Sequence, residues 1–310
     1  MSLYDIYGNV VVSGDTTESN VQNWKGRNGI FDGDSITSGY KLPETVGELL
    51  GLSKVYNIAL SGQSIGNAPE GTIGHWKNRL NNYKPDVDFV YIMGDINSGD
   101  NPTGSFGDKT EDTWYGRWFL FLSAIKEMYP SIPVFLVATF ANYKNSTSIG
   151  TYRYAEAFRE MAEYHGCIFI NLPMECQLAM VNLKSAGAWS TTGTQNVHQN
   201  VERAKKYLYP YIAKRINEYI PIDEADETAI ALDKNTLTVA VGETAQLAST
   251  LTPSNAISQT NVWNIDNTDI AYIAAGAVHA RAAGTATITV ETRHGHKATC
   301  EVTVTEADAE

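Results

Sequence analysis

Between residues 27 and 220 the chain alternates short apolar runs with stretches of helical periodicity. Five runs rich in Ile, Val and Phe stand out: NGIFDGD (28–34), KVYNIAL (54–60), DVDFVYIMG (86–94), IPVFLVATF (132–140) and GCIFINL (166–172). Between them lie TVGELLG (45–51), the stretch around HWKNRLNNY (75–83), TWYGRWFLFLSAIKEMY (113–129) and TYRYAEAFREMAEYHG (151–166), with apolar residues at helical spacing. A last helix is predicted over VERAKKYLYPYIAKRINEYI (201–220), kinked at Pro210, because proline lacks an N–H and its ring clashes with the preceding turn. Strands that alternate with helices imply an α/β domain whose five-stranded parallel sheet is covered on both faces.

After Pro221 the pattern changes. Past the acidic DEADET (223–228), the stretches at 230–253 and 284–304 read as short strands with period-two alternation and Gly, Asp and Asn turns, an all-β sandwich. Leu237–Val239 followed by Val241, Gly242 and Glu243, then Trp263, then GTATI (284–288), resemble the bacterial immunoglobulin-like group 2 domain. That resemblance implies adhesion, spacing or display. The expected division is an N-terminal segment (1–22), an α/β domain (23–222) and an immunoglobulin-like domain (223–310). His294 and His296, in RHGHK, are expected in a solvated hairpin turn.

Charge sharpens this division. Of the net −12, residues 223–310 carry −9, from 13 acidic and 4 basic side chains. An acidic chain lacks the clustered Lys and Arg needed to grip nucleic-acid phosphates or anionic lipid, so neither partner is expected. No run of 18 apolar residues suggests a membrane span. The opening MSLYDIYGNV has no basic and apolar secretory signature. Cys167, Cys176 and Cys300 fit neither a disulfide framework nor zinc spacing, and Cys167 and Cys300 read as buried thiols. No metal or cofactor motif is present.

Two serines sit where a nucleophile could. Ser64, in GQSIG, fits G-x-S-x-G, but that elbow needs a helix at once, and Asn67, Pro69, Gly71 and Gly74 delay it. Ser35 ends the first apolar run, at the carboxyl end of a strand, where open α/β sheets place ligands. Taken alone, it would be a helix-capping hydroxyl. Of the histidines, His198, in GTQNVHQN (193–200), has the context of a base. His165 reads as the end of a helix, and His75 lies in a Gly-rich loop with no partner in view. Among the aromatics, Trp114, Tyr115 and Trp118 recur at helical spacing and read as core, while Trp189 is a candidate substrate contact.

Four blocks of this region resemble the SGNH (GDSL-type) hydrolase family: Gly33-Asp34-Ser35 with Ile36-Thr37; Asn57 to Gly62; Gly94-Asp95-Ile96-Asn97; and Gln195-Asn196-Val197-His198. The resemblance implies a doubly wound, flavodoxin-like sheet and a serine esterase, often one that removes acetyl groups from carbohydrates. It assigns Ser35 as nucleophile and His198 as base, and the backbone N–H of Ser35 and Gly62 with Asn97 as oxyanion hole. Two positions depart from the family pattern. Asn97 falls one place late, and Gln195 stands where an aspartate would orient the histidine. Gln195 offers an acceptor without charge; a backbone carbonyl, Glu175 or Glu202 are other possible orienters. LYDIYGNVV (3–11) resembles the N-terminal segment of phage-encoded members. Together these features point to an esterase acting on a carbohydrate ester or cell-surface glycan, extracellular or virion-associated, and cytoplasmic before release. The alternative is an impaired scaffold of the same family that binds glycan or builds a virion. Oligomeric state is not legible in the sequence.

Overall fold

The computed structural model describes residues 3–4, 10–12, 22–66, 68–94, 97, 103–139, 148–175, 198–219, 221, 227–254, 256 and 261–306; for 3–4, 10–12, 148–154, 173 and 174 it describes backbone alone. At the N-terminus β1 (Leu3–Tyr4) and β2 (Val10–Val12) pair antiparallel. The five apolar runs then become β3 (Asn28–Gly33), β4 (Lys54–Asn57), β5 (Phe89–Gly94), β6 (Val134–Ala138) and β7 (Ile168–Asn171). They form one parallel sheet in the order β4-β3-β5-β6-β7. Chain order reverses about β3, which is the doubly wound, flavodoxin-like arrangement. Every residue of β5 and β6 is buried, as a strand covered on both faces requires.

The helices are α1 (Ser35–Ser38), α2 (Leu42–Leu50), α3 (Trp76–Leu80), α4 (Trp114–Met128), α5 (Ser148–His165) and α6 (Leu172–Glu175). After them come α7 (Val201–Arg203), a π turn (Ala204–Leu208) and α8 (Tyr209–Asn217). These last three run on as one helix. A π turn lies just ahead of Pro210, where the kink is expected, and there the Tyr209 N–H bonds to the carbonyl of Ala204 five residues back. The wider turn seats the proline in the first turn of α8, where a missing N–H costs little.

α2 packs on α8, while α3, α4 and α5 adjoin in a row. Trp24, Phe31, Phe89 and Phe135 meet edge to face beneath the sheet, with Trp24 and Phe89 at 5.1 Å between centroids. The Trp24 indole N–H donates to the Ile216 carbonyl at 2.9 Å, tying the entry to β3 to the last helix. Trp114 and Trp118 are buried, as their spacing predicted.

The second domain is a β-sandwich of β8 (Ala229–Leu232), β9 (Thr236–Ala240), β10 (Thr244–Gln246), β11 (Ser249–Thr252), β12 (Asn261–Ile265), β13 (Ala271–Ala274), β14 (Ala277–Ala280), β15 (Gly284–Thr292) and β16 (Lys297–Thr305). The sheets run β12-β15-β16-β9, β10-β14-β13 and β8-β11. β16 alternates exposed and buried positions, so its period-two pattern faces a core that includes Leu237, Ile288, Val290 and Val302. Cys300 lies in this core, and Cys167 is a half-buried free thiol whose pKa burial pushes up to about 12. Cys176 lies outside the described residues.

The sandwich rests on the α/β domain. Val262 joins the first domain's core. The Lys77 ammonium lies 2.6 Å from Glu111 and 4.2 Å above the Tyr272 ring. Arg293 donates to the Val87 carbonyl at 3.1 Å and pairs with Asp88, and Arg281 lies 3.8 Å from Glu70. The RHGHK hairpin is not merely solvated. His294 Nδ1 lies 3.0 Å from the carboxylate of buried Glu227, and His296 Nε2 lies 3.1 Å from the Glu227 carbonyl. A buried carboxylate must find partners, and the hairpin supplies them. Among the described residues no helix is long and apolar enough to cross a membrane, and no group of three His, Cys, Asp or Glu could hold a metal.

Candidate active site

β3 ends at Gly33, whose φ of +150° lies in a region that L side chains rarely adopt. A Cβ there would sit 2.5 Å from the Met93 carbonyl of neighbouring β5, so glycine lets the two strands close while the chain turns. Asp34 caps the next turn, its carboxylate accepting the Ile36 N–H at 2.9 Å, and Ser35 becomes the first residue of α1. The hydroxyl is thereby presented at the carboxyl edge of the sheet.

Buried groups hold that turn from below. Asp32, fully buried, accepts the Gly33 N–H at 2.7 Å and the Tyr83 hydroxyl at 2.9 Å, and pairs with the Arg79 guanidinium. Arg79 also donates to the Gly33 carbonyl at 2.9 Å, which accepts the Leu60 N–H at 3.0 Å as well. Both peptide groups of Gly33 are therefore fixed by side chains on β3 and α3.

His198 comes from far along the chain, just ahead of α7. Its Nε2 lies 2.9 Å from Ser35 Oγ, across 163 residues of sequence. The Tyr40 ring stacks on the imidazole at 4.9 Å between centroids, 25° from parallel. Next to it, buried Gln199 donates from Nε2 to the Ile36 carbonyl at 3.1 Å and to the Tyr209 hydroxyl at 3.3 Å, so the histidine's own stretch is fastened to the turn that carries Ser35. Burial holds the His198 imidazole below the ordinary histidine pKa. A neutral imidazole in contact with a hydroxyl can take its proton.

The loop after β4 carries Gly62 at φ +73°. Among the described residues no acceptor takes the backbone N–H of Ser35 or of Gly62. Asn97, one place late in its motif, still reaches this loop. Its Nδ2 donates to the Gln63 carbonyl at 3.2 Å. Gly33, Asp34, Gln63 and Ser64 line one small cavity beside the site. Ser64 is buried in this loop, and among the described residues no helix follows until Trp76, so the immediate helix that its motif would need is not seen there.

Other expectations resolve differently. Glu175 accepts the Asn171 N–H at 3.0 Å and the Tyr211 hydroxyl at 2.9 Å and pairs with Arg215, and Glu202 pairs loosely with Lys205 on an exposed face. His75, expected to lack a partner, is buried with Nε2 3.5 Å from Glu111. His165 does end α5; it packs on Phe119, and burial, with Lys126 nearby, lowers its pKa to about 4. Gln195, Asp95 and Trp189 lie outside the described residues. Sequence reasoning missed Asp32, Arg79, Tyr83, Tyr40 and Gln199. Only the buried position of Asp32, inside an apolar strand, could have signalled the first three.

Residues 31–205 match the model of the GDSL-like Lipase/Acylhydrolase family, and residues 227–302 match the Bacterial Ig-like domain (group 2). A solved structure of a protein from Lactobacillus plantarum shares the fold, with a TM-score of 0.52 at 20% identity over 63% of this chain and 96% of its own. Axe2, an acetylxylan esterase from Geobacillus stearothermophilus, is less alike, with a TM-score of 0.43 at 19% identity over 63% of this chain and 96% of its own. Two phage proteins match a quarter of the chain. The minor capsid protein of Enterobacteria phage T3 is 38% identical over 82 residues, 26% of this chain. The Ig-like virion protein of Serratia phage KSP90 is 39% identical over 80 residues, 25% of this chain. The matches span only 19% and 31% of those two proteins' lengths.

Proposed function

We propose, from the premise that this chain belongs to the GDSL-like lipase/acylhydrolase family, that it is a serine esterase in which Ser35 is the nucleophile and His198 the general base. The observation that carries this reading is the 2.9 Å contact between Ser35 Oγ and His198 Nε2.

The chemistry follows from the geometry. As Ser35 Oγ attacks the acyl carbonyl, its proton passes to His198 Nε2. The carbonyl oxygen becomes an oxyanion, which the backbone N–H of Ser35 and Gly62 would receive, with the Asn97 amide as the third donor through the hydrogen it does not give to the Gln63 carbonyl. The tetrahedral intermediate collapses, and the departing alkoxide takes the proton from His198. Water, activated by the same imidazole, attacks the acyl-serine and returns the free acid and the hydroxyl. Burial favours the neutral ring, the form that can accept the Ser35 proton.

The substrate we propose is an acylated carbohydrate, with acetyl as the group removed and the virion or the cell surface as the setting. Support comes from the immunoglobulin-like domain fused to the α/β unit, and from two relatives that are virion proteins by name. The N-terminal strand pair, the α/β unit and the sandwich would then divide near residues 22 and 222.

The reading is tested by active-site labelling. A fluorophosphonate should phosphonylate the chain, and peptide mapping should place the adduct on Ser35; an adduct on Ser64, or none, would overturn it. It also fixes a pH dependence. With the His198 pKa depressed, the imidazole stays neutral to lower pH, so the acid limb of kcat/KM on an aryl acetate is expected below the ordinary histidine value of about 6.5. A limb at or above that value would refute the depressed pKa, and an acid limb that persists unchanged in His198→Ala would remove His198 as the base.

A further inference from the structure

We propose that Tyr40 is a positioning residue that fixes the plane of the His198 ring; the inference rests on the esterase reading above. Tyr40 has φ +58° and Lys41 φ +62°, consecutive left-handed residues in a region where glycine or asparagine is the usual occupant. An aromatic side chain at such a position disfavours the backbone it sits on. A tyrosine at such a position therefore raises the question of what its ring does.

What the ring does is visible in its contacts. It lies against the imidazole face, 4.9 Å between centroids and 25° from parallel, while the imidazole edge meets Ser35 Oγ at 2.9 Å. One contact fixes where Nε2 points, and the other fixes the plane in which it can swing. The aromatic face also favours the imidazolium that forms when Ser35 gives up its proton.

The strained backbone is held from both sides. The Tyr40 carbonyl accepts the Tyr209 hydroxyl at 2.5 Å, and that hydroxyl accepts from Gln199 Nε2, on the residue that follows His198. On the other side, the Gly39 N–H bonds to the Ser35 carbonyl at 3.2 Å, so the turn that carries the nucleophile runs directly into Tyr40. Nucleophile, base and stacking ring are thereby joined in one hydrogen-bonded circuit. The stack supplies an orienting contact at the face of a histidine whose motif has Gln195 in place of an aspartate.

The test uses the full chain with Tyr40→Gly and Tyr40→Phe. Glycine accepts the left-handed backbone, so the fold is expected to persist, with an unfolding temperature no lower than wild type by more than a few degrees. Tyr40→Gly should lower kcat by about tenfold to 10²-fold with KM unchanged, because a misaligned base slows the chemical step and leaves binding alone. Tyr40→Phe should keep kcat within about twofold, since the stacking face remains. A Tyr40→Gly variant with wild-type kcat, or a Tyr40→Phe variant as impaired as Tyr40→Gly, overturns the proposal. If wild type shows no turnover that depends on Ser35, the esterase reading fails instead, and the stack is judged by NMR. The His198 ring protons should be shifted upfield in wild type and Tyr40→Phe and move downfield in Tyr40→Gly; resonances that do not move overturn the positioning role.

Discussion

Replacing Ser35 with alanine is expected to lower kcat for an aryl or sugar acetate by at least about 10³-fold, with KM little changed. The expectation follows from the order of events. The hydroxyl is the atom that attacks, and with it gone His198 can only activate a water that the site was not shaped to hold. Folding should survive, because Ser35 Oγ contacts His198 on the site side and the cap of α1 is made by Asp34, which stays. Initial rates with both proteins at matched circular dichroism decide the matter. Equal rates would sink the esterase reading and leave the family scaffold as a binding or structural part.

The second large effect concerns stability. Arg79→Met should destabilise the α/β domain by about 3–5 kcal/mol, because it strands the Asp32 carboxylate in a fully buried position. The Tyr83 hydroxyl and the Gly33 N–H remain as partners, and neither carries charge. Adding Asp32→Asn to Arg79→Met should recover part of the loss, since the unpaired charge is then gone and the amide can still accept from Gly33. Urea unfolding of the two single variants and the double variant measures this as a cycle. Strict additivity would mean that the two side chains are not coupled. Because this pair grips both peptide groups of Gly33, the same substitution should also slow turnover below the unfolding transition.

Much of this architecture was legible because local pattern and global fold agree. NGIFDGD became β3, DVDFVYIMG became β5 and IPVFLVATF became β6, with only the ends trimmed. Each run is apolar because both of its faces are buried. Period-two alternation marked the sandwich for the converse reason, one face in and one out. The contact of Ser35 with His198 was implied by motif order along the chain rather than by spacing, and the parallel crossovers bring the two to one edge. What could not be read is what depends on distant side chains meeting. Asp32 was not singled out, because its role appears only when Arg79 of α3 and Tyr83 just beyond that helix meet it. Tyr40 gave no signal, because nothing local reveals a positive φ at a tyrosine. Asn97 looked misplaced by one residue, yet it reaches the Gln63 carbonyl. Pro210 marked an irregularity in the last helix, but not that it would take the form of a π turn.

The grip of the sandwich on the α/β unit has a mechanical meaning. One hold, at Asp88 and Val87, is where the chain enters β5. Another, at Glu70 and Lys77, lies on the loop and helix that follow β4, and this loop also carries Gly62. A body held at a single point can pivot freely, whereas holds at two separated places restrict that pivoting. If the sandwich is the part that attaches the chain to a larger body, as the proposed setting requires, the mouth of the site keeps a set bearing relative to that body, and the proposed glycan would have to be met at that bearing.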